Sequence, residues 1–220
     1  LDIRERLTAA DPANTEWQRD LSVIQLKLGD LHMAFGDGKA ALERYRTSLD
    51  IRERLTAADP ANTEWRRDLS VSHDKLGDLH MAFGDGKAAL ERYRASLDIR
   101  ERLTAADPAN TEWQRDLSVI QLKLGDLHMT FGEGKAALER YRASLDIAER
   151  LTAADPANTQ WQRDLIVSLV KLAEAGDGPL ERYARALIIV ERLKEEDRLQ
   201  PADAWMVDIL KQRLSEAQGK

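Results

Sequence analysis

Three kinds of side chain that can make specific contacts recur together in this sequence. Each set has an aspartate, a lysine three residues before it and a methionine three residues after it. The nine residues are Lys27, Asp30, Met33, Lys75, Asp78, Met81, Lys123, Asp126 and Met129. Carboxylates beside soft apolar side chains can hold a partner segment that carries positive charge and apolar anchors. Alternatively, the lysine and aspartate pair along one helix and the methionine fills space. The sequence leaves both interpretations open.

Other residues that could do chemistry do not form a catalytic or metal site. The chain has no cysteine, which excludes disulfides, thiolate catalysis and zinc fingers. Ser72, His73 and Asp74 are consecutive, and on a helix such side chains point about 100° apart, so they cannot form a relay. Three further histidines, at positions 32, 80 and 128, are too far apart to share one metal ion and are interpreted as structural. We therefore predict a protein that is not an enzyme and has no cofactor or metal.

The elements that position these residues repeat along the chain. Trp17 returns as Trp65, Trp113 and Trp161, each time after 48 residues, and most of the stretch from 17 to 62 returns with it. A fixed period of this size indicates an array of stacked supersecondary units in which each unit covers its neighbour.

Each repeat reads as two helices, A and B. In helix A, the apolar residues at 17, 21, 24, 28, 31 and 35 follow steps of three and four, which form one helical face. Thr15 and Gln18 predict a capping box at its start, weakened in the second repeat by Arg66. The segment 36–38 supplies two glycines for a turn with positive φ. Helix B is predicted from about residue 39 to 58, and the tryptophans are expected to fill the core between layers.

The fold class is thus predicted to be an all-α solenoid of antiparallel hairpins. In the last repeat, six residues are expected to be missing from the A-to-B turn, and Asp203 is expected to cap a final amphipathic helix. The predicted division is the second helix of a truncated repeat at 1–13, repeats at 14–61, 62–109 and 110–157, a shortened repeat at 158–199 and a capping helix at 200–220.

Composition limits the partners. The net charge is −6 and 33% of the residues are charged, which counts against a nucleic-acid-binding surface. No stretch approaches 18 apolar residues, so no membrane span is predicted. A cytoplasmic location is expected, and the start of the chain in mid-repeat predicts a fragment of a larger multidomain protein.

The repeat resembles the tetratricopeptide repeat. The match consists of Leu28-Gly29, Gly36, Ala41 with Tyr45 four residues later, and Asp59-Pro60. The longer unit looks like the extended repeats of kinesin light chain and of bacterial tandem arrays. The resemblance implies a right-handed superhelix whose concave wall of A helices binds peptides or partner helices. The sequence departs from the family pattern where the family has tryptophan (Gln25, His73, Gln121) and tyrosine (His32, His80, His128).

We therefore expect a protein–protein interaction scaffold that holds a peptide or helix against the nine residues above. The alternative is a spacer or oligomerisation element that self-associates by end-to-end stacking through an uncapped N-terminal repeat.

Overall fold

The computed structural model describes residues 2–219, without the side chains at positions 2, 4 and 5. The chain divides into two compact units, Leu1–Asp107 and Pro108–Lys220. The first unit contains α1 (Asp2–Ala10), α2 (Thr15–Ala34), α3 (Gly38–Ala58), α4 (Thr63–Ala82) and α5 (Gly86–Ala106). The second contains α6 (Thr111–Thr130), α7 (Gly134–Ala154), α8 (Thr159–Glu174), α9 (Pro179–Glu195), a 3₁₀ turn (Pro201–Asp203) and α10 (Met206–Gln218). The described residues include no strand, so the predicted all-α class is confirmed.

Consecutive helices pack as antiparallel hairpins. The pairs α2/α3 and α4/α5 form two hairpins in the first unit, and α3 packs against α4. In the second unit, α6/α7 and α8/α9 form hairpins, α7 packs against α8, and α10 packs against α9. Helices A and B therefore occur as predicted, with helix B starting at Gly38.

The start of helix A differs from the prediction. Asn14 is the N-cap, and its Oδ1 accepts a hydrogen bond from the Trp17 amide at 3.1 Å. The Gln18 side chain donates to the Pro12 carbonyl, so the predicted Thr15 capping box is wrong. Asn14 lies one residue earlier, and its backbone carbonyl accepts from the Gln18 amide at 3.1 Å, which is the amide that a Thr15 capping box would use. The second repeat keeps the same cap through Asn62, so Arg66 does not weaken it.

The turn between α2 and α3 needs one glycine rather than two. Gly36 has φ of 76°, and Asp37 caps α3 by accepting from the Ala40 amide at 3.0 Å. Gly38 is the first helical residue, where a Cβ would overlap the ring of Phe83. In this repeat, the absence of a side chain at Gly38 therefore lets the Phe83 ring of the next hairpin pack closely against the turn.

The last hairpin is shortened in its helices. The turn 175–178 has four residues, against three in 131–133, so the prediction of a shortened turn is wrong. Helix α8 has 16 residues where α6 has 20, and α9 has 17 where α7 has 21. Asp203 does not cap α10, because its carboxylate accepts from Arg163 Nε at 2.9 Å and α10 begins without a side-chain cap.

Each core lies between hairpins. Tyr45 and Leu49 of α3 pack with Leu79 of α4, which is fully buried. The equivalent residue of α2, Leu31, is 50% exposed, and Phe35 is 79% exposed, contrary to the predicted apolar face. Phe83 and Phe131, at the same repeat position as Phe35, are also exposed, at 55% and 44%, so this end of the predicted face lies outside the core in all three repeats. The tryptophans at 17, 65, 113 and 161 are half-buried rather than core residues.

Candidate partner-binding face

The predicted aspartates are held in a three-residue contact that recurs between hairpins. Tyr45 of α3 donates its hydroxyl to Asp30 at 2.7 Å, and the Lys75 ammonium of α4 lies 2.8 Å from the same carboxylate. We call this arrangement the Asp–Tyr–Lys clasp. The lysine comes from the next hairpin, so the prediction of pairing with the lysine three residues earlier is wrong for Asp30.

The second unit repeats the clasp. Tyr141 donates to Asp126 at 2.7 Å, and Lys171 lies 2.9 Å from it. In the first unit, Tyr93 makes the same hydrogen bond and donates to Asp78 at 2.8 Å. Burial, followed by the hydrogen bond to the aspartate, raises the pKa of Tyr45 and Tyr141, so both phenols stay protonated donors.

The clasp depends on a close approach between the two helices of a hairpin. A Cβ at Gly29, Gly77 or Gly125 would overlap the ring of the tyrosine that follows it by sixteen residues. Sequence reasoning missed the role of these tyrosines. The signal was present, because each tyrosine follows its aspartate by fifteen residues in all three repeats.

One cavity brings predicted residues together. Asp126 and Met129 line a space of about 300 Å³ with Tyr141, Lys171 and Glu174. Met129 is 42% exposed, whereas Met33 and Met81 are half-buried. Among the predicted lysines, Lys27 is exposed, and Lys75 and Lys123 are half-buried. The cavity thus unites an acid, a base and a soft apolar side chain, with Lys171 in place of Lys123.

A second cavity follows on the next pair of helices. It is an apolar groove of about 170 Å³ between α8 and α10. Glu174 stands 48 residues after Asp126, in the position of the clasp aspartate, and lines this groove together with Tyr183 and Arg213. Sequence reasoning missed the groove, because the placement of α10 beside α8 depends on tertiary packing.

Several buried polar groups serve the packing between helices. Arg52, only 4% exposed, donates to the Ser22 and Ser72 hydroxyls and to the Asp68 carbonyl. Burial lowers its pKa. Arg100, at the same repeat position, donates to the Asp74 carboxylate at 2.5 Å. These contacts hold hairpins together and are not accessible to a partner.

The histidines also have structural contacts. His128 Nδ1 lies 2.6 Å from Glu133, and His32 and His80 approach the equivalent aspartates at 3.8 and 3.9 Å. Each contact joins the end of a helix A to the turn after it. Ser72 and Asp74 contact Ser48 and Arg100 instead of forming a relay with His73.

The described residues contain neither a metal-binding cluster nor a membrane-spanning helix. Across residues 2–219, no group of three histidine, aspartate or glutamate side chains is placed to hold a metal ion. Among the helices of that same part, none combines the length and the hydropathy that crossing a membrane requires.

Comparison with known proteins identifies the fold. No protein-family profile matches the sequence, and no curated protein matches it significantly. The crystal structure of BtubC (BKLC) from P. vanneervenii superposes with a TM-score of 0.69 and 19% identity, over 99% of this chain and 81% of that chain. A crystal structure of MamA aligns with a TM-score of 0.41 and 17% identity, over 87% of both chains. The chain therefore has a tetratricopeptide-like helical-repeat fold.

Proposed function

We propose that this protein is a non-enzymatic interaction scaffold that holds a peptide or helix of a partner protein against its A helices. The observation that carries the proposal is the cavity at Asp126 and Met129, where the predicted residues lie open between successive hairpins. The tetratricopeptide-like fold supports it, because such arrays present extended binding surfaces.

The contacts of the aspartates indicate that a partner would bind mainly to other residues of this face. Asp30 and Asp126 already contact a tyrosine and a lysine, so their charge is largely compensated within the protein. Binding energy would therefore come mainly from the methionines and other exposed apolar side chains of this face, with the clasps setting its shape.

The test is a capture experiment with the tagged protein, followed by identification of the bound proteins. Met129→Glu places a charge in the cavity and should reduce capture of the specific partner at least about tenfold. Ile188→Glu is the matched control, because Ile188 is 67% exposed on α9 and does not line the cavity. Equal capture by both variants, or equal loss, would contradict the proposal.

Self-association is a second candidate, favoured by the exposed apolar side chains of α2. Leu31 is 50% exposed, whereas Leu79 at the same repeat position is fully buried beneath the preceding hairpin. A second copy covering this face would bury Leu31 and Phe35. Light scattering should then show a mass that rises with concentration and falls back in Phe35→Glu; a monomer at every concentration would eliminate this candidate.

A further inference from the structure

The groove between α8 and α10 is lined mainly by two segments of the chain. These segments are residues 166–174 of α8 and residues 205–213, which are Trp205 and the first part of α10, and each is about 12 Å long. Apolar side chains gather at the start of both segments, and charged side chains gather at the end of both. The apolar part is lined by Ile166, Val167, Val170, Trp205, Met206, Ile209 and Leu210.

Two of these apolar residues lack cover within the described chain. Trp205 is 56% exposed and Ile209 is 43% exposed, while Met206 and Leu210, each the next residue along the chain, are buried. Trp205 and Ile209 therefore form one exposed edge of the groove, which we call its rim, and the buried Met206 and Leu210 form its base. An amphipathic helix laid between two helices buries such a rim with side chains spaced three or four residues apart.

The charged end of the groove carries Lys171, Glu174 and Arg213, and two of these three side chains are paired with residues outside the groove. Lys171 lies 2.9 Å from Asp126, and Arg213 pairs with Glu216 at 3.3 Å. Glu174 is exposed and has no ion pair among the described residues. The uncompensated charge next to the apolar groove is therefore negative, which complements a lysine or arginine.

From this arrangement we infer that the groove binds an amphipathic helix of a partner protein, with its apolar side chains between α8 and α10 and a lysine or arginine one turn further at Glu174. This inference rests on the proposed scaffold function and specifies the partner chemistry at one site. It concerns residues 166–174 and 205–213, and does not require the methionine contacts of the earlier repeats.

The test compares two synthetic helical peptides by fluorescence anisotropy. One carries the pattern Leu-x-x-x-Leu-x-x-x-Lys, and the other has Glu in place of Lys. The wild-type protein should bind the Lys peptide about fivefold more tightly, as expected for one exposed ion pair. Glu174→Lys should reverse this preference, and Ile209→Glu should abolish binding of both peptides.

Two matched variants serve as controls. Glu195→Lys makes the same charge change at an exposed position of α9 outside the groove and should leave the preference unchanged. Ile188→Glu should likewise retain binding. Circular dichroism establishes that each variant keeps its helical content.

Three outcomes would overturn the inference: no binding of either peptide, equal binding of both, or a Lys preference that persists in Glu174→Lys. These outcomes are distinct from failure of the scaffold function. If Met129→Glu abolishes capture of a natural partner while the peptides show no dependence on Glu174, only the assignment of this groove is rejected.

Discussion

At the scale of single residues, the buried polar contacts of the first unit are the feature that the sequence indicates least. Arg52 and Arg100 stand in the pattern DIRER, whose alternating charges are typical of a solvated helical face. Both side chains are instead buried, and each donates to a serine of the A helix in its own hairpin. Those serines are separated from them by thirty residues, so no local pattern identifies the contact.

His73 provides a pH-dependent prediction. It is buried, its Nδ1 has no hydrogen-bond partner, and burial together with the nearby Arg92 lowers its pKa to about 4. Because the unfolded chain takes up this proton near pH 6.5 and the folded chain resists it, stability is lost as the pH falls from 6.5 towards 4. A pKa shift of this size corresponds to a loss of about 3 kcal/mol in the free energy of unfolding.

The matched variant is His73→Gln, which copies the residue at the same position in the first and third repeats. There, Gln25 and Gln121 accept hydrogen bonds from Arg44 and Arg140. Urea unfolding should show that the advantage of His73→Gln over wild type grows as the pH falls through this window. A constant difference between the two proteins at all pH values would refute the assigned titration.

Arg100 and Asp74 form a buried pair that the third repeat replaces with Ala148 and Leu122. Arg100→Ala should cost about 3–5 kcal/mol of unfolding free energy, because it leaves the Asp74 carboxylate buried without its guanidinium. Adding Asp74→Leu recreates the apolar pair and should recover most of the loss. Denaturant unfolding of Arg100→Ala, Asp74→Leu and the double variant measures the coupling, and additive losses in the double variant would contradict it.

At the scale of the elements, the helices were predictable almost residue by residue. The three-and-four spacing of apolar residues and the Gly and Pro punctuation gave helix A and helix B to within about two residues. The errors fell at the ends. Asn14 rather than Thr15 caps α2, and the deletion in the last repeat shortens α8 and α9 rather than their turn. End positions depend on which of two neighbouring polar residues reaches an amide, and spacing alone does not decide that.

The close contact between helices of one hairpin gives a prediction at this scale. Gly125→Ala should destabilise the protein by about 1–3 kcal/mol, because the added methyl group overlaps the Tyr141 ring and displaces it from Asp126. Gly134→Ala is the control. It lies at the start of α7 with open space around its Cβ, so it should be neutral or slightly stabilising. Thermal unfolding compares them, and equal midpoints would argue against the clasp as a packing constraint.

At the scale of the whole molecule, the repeat period identified the fold class but not the candidate site in its final form. The nine predicted residues were chosen from spacing on one helix, whereas the cavity at Met129 takes Tyr141 from the next helix and Lys171 from the next hairpin. The division between Leu1–Asp107 and Pro108–Lys220 was also unpredictable, since the near-identical repeats show no change in composition there.

The central claim is that a partner protein lies against the A helices, and amine-labelling footprints test it most directly. The protein is labelled alone and in complex with the partner identified by capture, and the reactivity of each lysine is compared. The account predicts reduced labelling at Lys27 and Lys123 of the A helices, with Lys39, Lys87 and Lys135 of the B helices unchanged. Protection confined to the B-helix lysines would contradict it.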